Sequence, residues 1–382
     1  MNRIYFDNSS TSFPKAPPVG EAVKSLIENG CFNINRGGYN EAYALENTVF
    51  DTREMLCDMF NFDKVSNVVF TQSITHSLNY ITKGFLKSGD HVIVSSMEHN
   101  ALMRPLVQLQ EQGVTFDAAQ AEIDGTLNPA KVEALIKPNT KAIMMLHGSN
   151  VCGTLLPIKE IGEICKRKNL KFVVDTAQTA GAFPIDMKEM NIDVLCFTGH
   201  KSLRGPQGIG GFLISDEMVE RISPLIVGGT GSYSDSEEIP KSMPDRFESG
   251  TMNLPGIVGL NAALNYLKEE GIDNIRNKEL AIAKRFFDGA INLPHTRLIG
   301  KKDFVERAPI VSLDFETLDN AQIAFELESK FGIMTRCGLH CAPRAHKSLH
   351  TFPQGTVRFS FSHFNTDEEV DICINALKGI LK

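Results

Sequence analysis

Four short apolar runs in this chain end in side chains capable of chemistry. Phe172-Val173-Val174 leads into Asp175-Thr176-Ala177-Gln178, and Val194-Leu195-Cys196-Phe197 leads into Thr198-Gly199-His200-Lys201. Val68-Val69-Phe70 is followed by Thr71-Gln72-Ser73-Ile74-Thr75-His76-Ser77, and His91-Val92-Ile93-Val94 by Ser95-Ser96-Met97-Glu98-His99. Taken singly, each has a plainer use: lysine as a solvated surface group, aspartate, serine and threonine as helix caps, histidine as a hydrogen-bonded core or surface residue. Taken together, they sit where ligands of open α/β sheets bind, outside the carboxyl ends of strands.

A primary amine beyond a buried strand can form a Schiff base, and burial or a nearby cation increases its nucleophilic neutral fraction. A carboxylate at the end of another strand can hold a pyridine nitrogen in its protonated form, which makes the ring a stronger electron sink. Lys201 and Asp175 thus suit pyridoxal 5'-phosphate (PLP), with the cofactor supplying carbanion stabilisation and the protein positioning it. The hydroxyls of Ser73 or Thr75 and the first amides of a following helix can cradle the phosphate. His99 can stack over the ring and take part in proton transfer. The turn is not the lysine-containing Walker pattern, so ATP binding is poorly supported.

Cys341 lies in Gly338-Leu339-His340-Cys341-Ala342-Pro343. An unspecified cysteine is usually a small core hydrophobe. Arg336, Arg358 and His340 would favour its thiolate only if folding brings them near. Cys337, four residues earlier, reads as a packing residue or a resolving thiol. Two cysteines do not complete a zinc site, and no metal is expected.

These residues require elements to hold them. Strands are predicted at Ile4 to Asp7, Val68 to Thr71, His91 to Ser95, Ala142 to Leu146, Phe172 to Asp175 and Val194 to Phe197. Helices are predicted from near Val19, over Ala101 to Gln110, and over Asn128 to Lys137, the last with Asn128 as cap and Pro129 in its first turn. Strand-helix alternation implies a mostly parallel sheet. After Gly250 the rhythm changes: helices at Pro255 to Glu269 and Asn320 to Phe331, strands at Ile310 to Phe315 and Thr356 to Ser360, and a capping box from Thr366 to Glu369 ahead of a last helix. The expected division is a segment 1–14 packing with the small domain, a large cofactor-binding domain 15–255, and a small α+β domain 256–382 carrying the cysteine loop. With 382 residues, 42% of them hydrophobic, the chain can bury this much core. A net charge of -7 argues against a broad nucleic-acid surface. No run supplies the roughly 20 apolar residues of a membrane span, and the first residues do not resemble a secretory signal, so cytoplasm is the expected location.

The ordered set of motifs resembles the aminotransferase class V group of PLP enzymes, especially the cysteine desulfurase and selenocysteine lyase family. It runs from Tyr5-Phe6-Asp7-Asn8 through Asn33-Ile34-Asn35-Arg36-Gly37, Ser73-Ile74-Thr75, Glu98-His99, His147 to Gly153, Asp175 to Gln178 and Thr198 to Lys201. It continues through Arg246 to Thr251, Arg336 to Cys341 and Thr356 to Ser360. The resemblance implies a fold-type I architecture, with Lys201 joined to the cofactor, Asp175 on the pyridine nitrogen, Gln178 at the phenolic oxygen and His99 over the ring. It assigns phosphate contacts to the Ser73-Ile74-Thr75 turn, Thr198 and His200, and to Thr251 reaching the phosphate of a dimer partner. Asn150 and Arg358 would hold the substrate carboxylate, with Arg36 and Arg336 nearby, and Cys341 would be the nucleophile. The chain departs from commoner members at Ser9-Ser10, where alanines are frequent, at Ser73, a frequent glycine position, at Ile74, where a small residue is usual, and at Asn35, often histidine. Because serine lacks glycine's access to positive φ, the Ser73 exchange predicts an altered phosphate turn.

The implied reaction converts L-cysteine to L-alanine with sulfur passing to Cys341 as a persulfide, in a homodimer. The short span from His340 to Thr356 is similar to the branch that works with a sulfur-accepting partner protein. The alternatives are a selenocysteine lyase acting on L-selenocysteine, another PLP-dependent carbon-sulfur lyase, an aminotransferase with no use for Cys341, and a PLP-binding regulator without catalysis.

Overall fold

The computed structural model describes residues 3–34 and 38–382. Its strands are β1 (Ile4–Tyr5), β2 (Val68–Thr71), β3 (His91–Ser95), β4 (Thr115–Ala119), β5 (Thr140–Leu146), β6 (Lys171–Asp175), β7 (Val194–Thr198), β8 (Gly210–Ile214), β9 (Arg297–Ile299), β10 (Ile310–Asp314), β11 (Ile333–Met334), β12 (Arg336–Gly338) and β13 (Thr356–Ser360). A seven-stranded sheet has the order β2-β8-β7-β6-β5-β3-β4. All its pairings are parallel except those of β8, which is antiparallel to both β2 and β7. This is the mostly parallel fold-type I arrangement, accompanied by a smaller four-stranded sheet, β12-β13-β10-β9.

The period-two alternation of strand side chains separates two cores on the faces of the large sheet. Ile143, Met145, Phe172 and Val174 enter one, while Ala142, Met144 and Val173 enter the other. A third core joins the small sheet to the helices Ile272–Ala290, Asn320–Phe331 and Asp367–Ile380. The helix Leu254–Glu270 contributes its apolar face, including Ile257, Leu260, Leu264 and Leu267, to the first core. The next helix changes allegiance along its length: Ile275 joins the first core, and Ile282, Phe286 and Phe287 join the third.

Most of the expected elements form, with Asn320–Phe331, Thr356–Ser360 and the Thr366–Glu369 capping box as read. The helix expected over 128–137 is shorter. Asn128 caps it through Ala130 N, but it ends at Glu133, where bonds from Leu135 N to Val132 O and from Ile136 N to Glu133 O tighten the chain ahead of Pro138. The Gly-rich stretch after Lys201 ends in β8. A side chain on Gly211 would stand 2.4 Å from Val69 O and 2.6 Å from the Phe197 ring, so glycine permits three strands to meet there. No described helix is long and apolar enough to cross a membrane.

Candidate active site

The site lies where β5, β6 and β7 end. Asp175, the last residue of β6, is buried, and its carboxylate accepts a hydrogen bond from Ala177 N at 2.8 Å. Desolvation raises its pKa, against the opposing effects of that bond and the Lys201 charge. Lys201 shares a narrow cleft with Ser9, Asn8 and Gln178. Burial lowers its amine to about 8, helped by the positive charges of Arg358 and Arg336 and opposed by Asp175 and Asp7. An amine so tuned is neutral in useful proportion near neutral pH. Gln178 is buried and donates from Nε2 to Ser9 O at 3.2 Å.

Among the described residues, two neighbouring polar atoms have no partner. Thr198 Oγ1 and His200 Nδ1 are buried without a hydrogen bond, at the end of β7 and in the turn before Lys201. Buried polar atoms are nearly always satisfied, so both mark places for a bound polar group. The 73–75 turn closes on the same strand ends, because a Cβ on Gly210, the partner of Thr198, would stand 3.0 Å from Ser73 C and 3.1 Å from Ile74 N. The turn is not altered in the way its serine predicts. Ser73 has φ -172°, extended backbone open to any residue, and its hydroxyl caps the helix Ile74–Phe85 by accepting from His76 N. The serine therefore brings no distortion to the turn. Ile74 is buried, and Thr75 is exposed.

His99 caps the helix Asn100–Gln110 through its ring: Nδ1 accepts from Ala101 N at 3.0 Å. With Nδ1 an acceptor, the neutral ring carries its proton on Nε2. Burial, with Lys201, Arg336 and Arg358 nearby, lowers its pKa to about 3 and keeps it neutral. Directly before it, Glu98 is fully buried, takes the Leu146 amide on both oxygens at 3.1 Å and a short bond from Ser95, and is raised to about 8 by desolvation.

The cysteine loop is tied to this floor. Asn100 N donates to Cys341 O at 2.8 Å, and Asn150 Nδ2 donates to His340 O at 2.8 Å. Both His340 and Cys341 adopt left-handed backbone, at φ 47° and 58°. Two adjacent non-glycine residues in that region carry a cost of order 1–2 kcal/mol each, held by those bonds, and the Cys341 side chain is left exposed. Arg336 Nη2 lies 3.7 Å from Cys341 Sγ. Of the three groups proposed to favour the thiolate, Arg336 alone is at the sulfur. His340 is buried, bonded through Nε2 to Thr356 Oγ1 at 3.0 Å, and kept neutral by desolvation that lowers it to about 2. Arg358 is fully buried and engages Asn150 O at 2.9 Å, Asp7 Oδ1 at 2.7 Å and Ser10 Oγ at 2.8 Å.

The structure thus brings together Lys201, Asp175, Gln178, His99, Thr198 and His200, with Cys341, Asn150, Arg336 and Arg358 beside them. Thr251 is exposed and lines a different cleft, with Gln72, His76 and Ser249. Arg36 lies outside the described residues, as does Asn35. Asp7 and Ser10 reach the site without having been given a role there; serine at position 10, where alanine is frequent, was the available signal. Cys152 and Cys196 are buried in the core as packing residues, and Cys337 is half-buried.

The aminotransferase class V family profile matches residues 4–373, and the chain belongs to that family. A Pyrococcus abyssi protein named "Probable cysteine desulfurase" is 32% identical, the alignment covering 99% of this chain and 94% of the relative. A Borreliella burgdorferi protein of the same name is 31% identical over 99% of this chain and 92% of its own. Among solved structures, the apo cysteine desulfurase from Thermococcus onnurineus superposes with a TM-score of 0.92 at 30% identity, covering 99% of this chain and 94% of that one. The cysteine desulfurase CsdA from Escherichia coli gives 0.89 at 27% identity, covering 100% and 96%. The family implies a PLP cofactor, and the Thr198 and His200 atoms left unpartnered among the described residues, the amine lowered by burial and the buried carboxylate fit one.

Proposed function

We infer that this chain is a PLP-dependent cysteine desulfurase, converting L-cysteine to L-alanine while sulfur passes to Cys341. The observation that carries the reading is the bond from Asn100 N to Cys341 O, which fixes an exposed thiol one residue from the His99 cap of the cofactor crevice. Lys201 would anchor PLP, Asp175 would face its pyridine nitrogen, Gln178 its phenolic oxygen and His99 its ring. The 73–75 turn, Thr198 and His200 would hold the phosphate, with Thr251 serving the phosphate of a partner copy. Bound there, PLP supplies the electron sink that carbon-sulfur cleavage needs.

The remaining work belongs to the chain. Arg358 and Asn150 hold the substrate carboxylate, with Arg36 and Arg336 close by. Arg336 keeps positive charge at the Cys341 sulfur, which attacks the substrate sulfur as thiolate. A sulfur-sulfur bond forms as the sulfur-carbon bond breaks, its electron pair staying with the carbon fragment, which takes up protons and leaves as alanine. Lys201, its free amine lowered to about 8 by burial, is suited to move a proton at the α-carbon, and neutral His99 offers the N–H on Nε2.

The same reading includes a homodimer, a cytoplasmic location and a protein that collects sulfur from the short Cys341 loop. It also includes the division into 1–14, 15–255 and 256–382. The test is a product assay. Purified protein given L-cysteine and a thiol should release L-alanine, and Cys341→Ser should abolish it. Pyruvate and sulfide as products, made equally well by Cys341→Ser, would replace this reading with a simple β-elimination.

A further inference from the structure

Ser10 joins the two arginines of the site. Its hydroxyl donates to Asp7 Oδ1 at 2.8 Å and accepts from Arg358 Nη2 at 2.8 Å and Arg336 Nη1 at 3.0 Å. A hydroxyl has one proton and two lone pairs, so all its capacity is used. Arg358 has other anchors in Asp7 and Asn150 O. Arg336 does not: among the described residues its guanidinium has no carboxylate partner, and its hydrogen bonds go to Ser10 Oγ and to Cys341 Sγ.

We propose that Ser10 is a positioning residue that fixes Arg336 beside the Cys341 sulfur and in register with Arg358. The proposal rests on the desulfurase reading for its purpose and on the hydrogen-bond geometry for its existence. Two guanidinium groups repel one another, and Arg336 is long and partly exposed. An oxygen accepting from both holds them at a set separation. The carboxylate end of a substrate and the attacking sulfur are then referenced to one point. Alanine here removes that acceptor, leaving Arg336 with the sulfur alone.

The test compares alkylation of Cys341 by iodoacetate, an anion, and iodoacetamide, which is neutral, in cofactor-loaded protein without substrate. The Cys341 peptide is followed by mass spectrometry, separately from exposed Cys31. The ratio of the two rates reports positive charge at the sulfur and divides out the thiolate fraction. Ser10→Ala should lower the ratio by about three- to tenfold at low salt. Ser10→Thr, which keeps the hydroxyl, should restore it, and Ser10→Ala added to Arg336→Ala should lower it no further. A ratio in Ser10→Ala equal to that of the unaltered protein, with the visible cofactor band intact, overturns the proposal. A changed ratio in a protein that makes no alanine from L-cysteine supports the Ser10 geometry while removing the desulfurase reading.

Discussion

At Lys201, position within the fold decides the chemistry. Burial lowers the amine from its usual range to about 8, and burial also raises the Asp175 pKa beside it. The neutral amine is the nucleophile, so a depressed pKa increases reactivity at lower pH. Apo-protein offered PLP should therefore take it up with a rate that climbs through about pH 8 and levels above it. Stopped-flow absorbance of the cofactor band reads this directly, and a climb that begins only near pH 10 would show an unburied amine. Lys201→Ala should lose the covalent band altogether. These residues were legible in sequence because each follows closely on an apolar run. The role of Ser10 was not, because it depends on two arginines more than 320 positions away, brought near only by the fold.

At the scale of elements, the cysteine loop depends on a close approach of backbones. Gly355, just before β13, has φ +78°, and a Cβ there would lie 2.3 Å from Gly338 C and O at the end of β12. Gly355→Ala should destabilise the protein by about 2–4 kcal/mol, combining left-handed strain with overpacking. Urea denaturation should show this as a lower midpoint with unchanged slope, and an unchanged midpoint would mean that the β12–β13 contact gives way freely. Strands buried on both faces were readable as apolar runs. The helix Asn40–Phe60 was missed although Ala42, Leu45, Val49, Leu56 and Phe60 keep helical spacing. Its buried face also contains Thr52 and Arg53, the latter paired with buried Glu248, which blurs the apolar stripe. β8 was hidden by its glycines, whose role is close packing between Val69 and Phe197.

For the whole molecule, the small sheet must stay in register with the large one, since Arg358 lies on β13 of the first and Lys201 follows β7 of the second. A buried ion pair spans this division: Arg204, three residues after Lys201, bonds Glu279, whose helix packs into the third core. Glu279 also accepts from His363 N at 3.3 Å. Removing one member of such a pair strands the other charge. Glu279→Ala should cost about 3–5 kcal/mol, seen as a shifted unfolding midpoint, whereas a loss under 1 kcal/mol would show that Arg204 finds water or another partner. Such long-range pairings are the part of the fold that local sequence patterns do not carry.

In the proposed reaction, sulfur leaves L-cysteine and lodges on one residue, Cys341. Cofactor-loaded protein given a single portion of L-cysteine without reductant, then alkylated and digested, should yield the Cys341 peptide with one extra sulfur, removable by dithiothreitol. Alanine production with that peptide unmodified, or with the extra sulfur on another cysteine, would contradict the account.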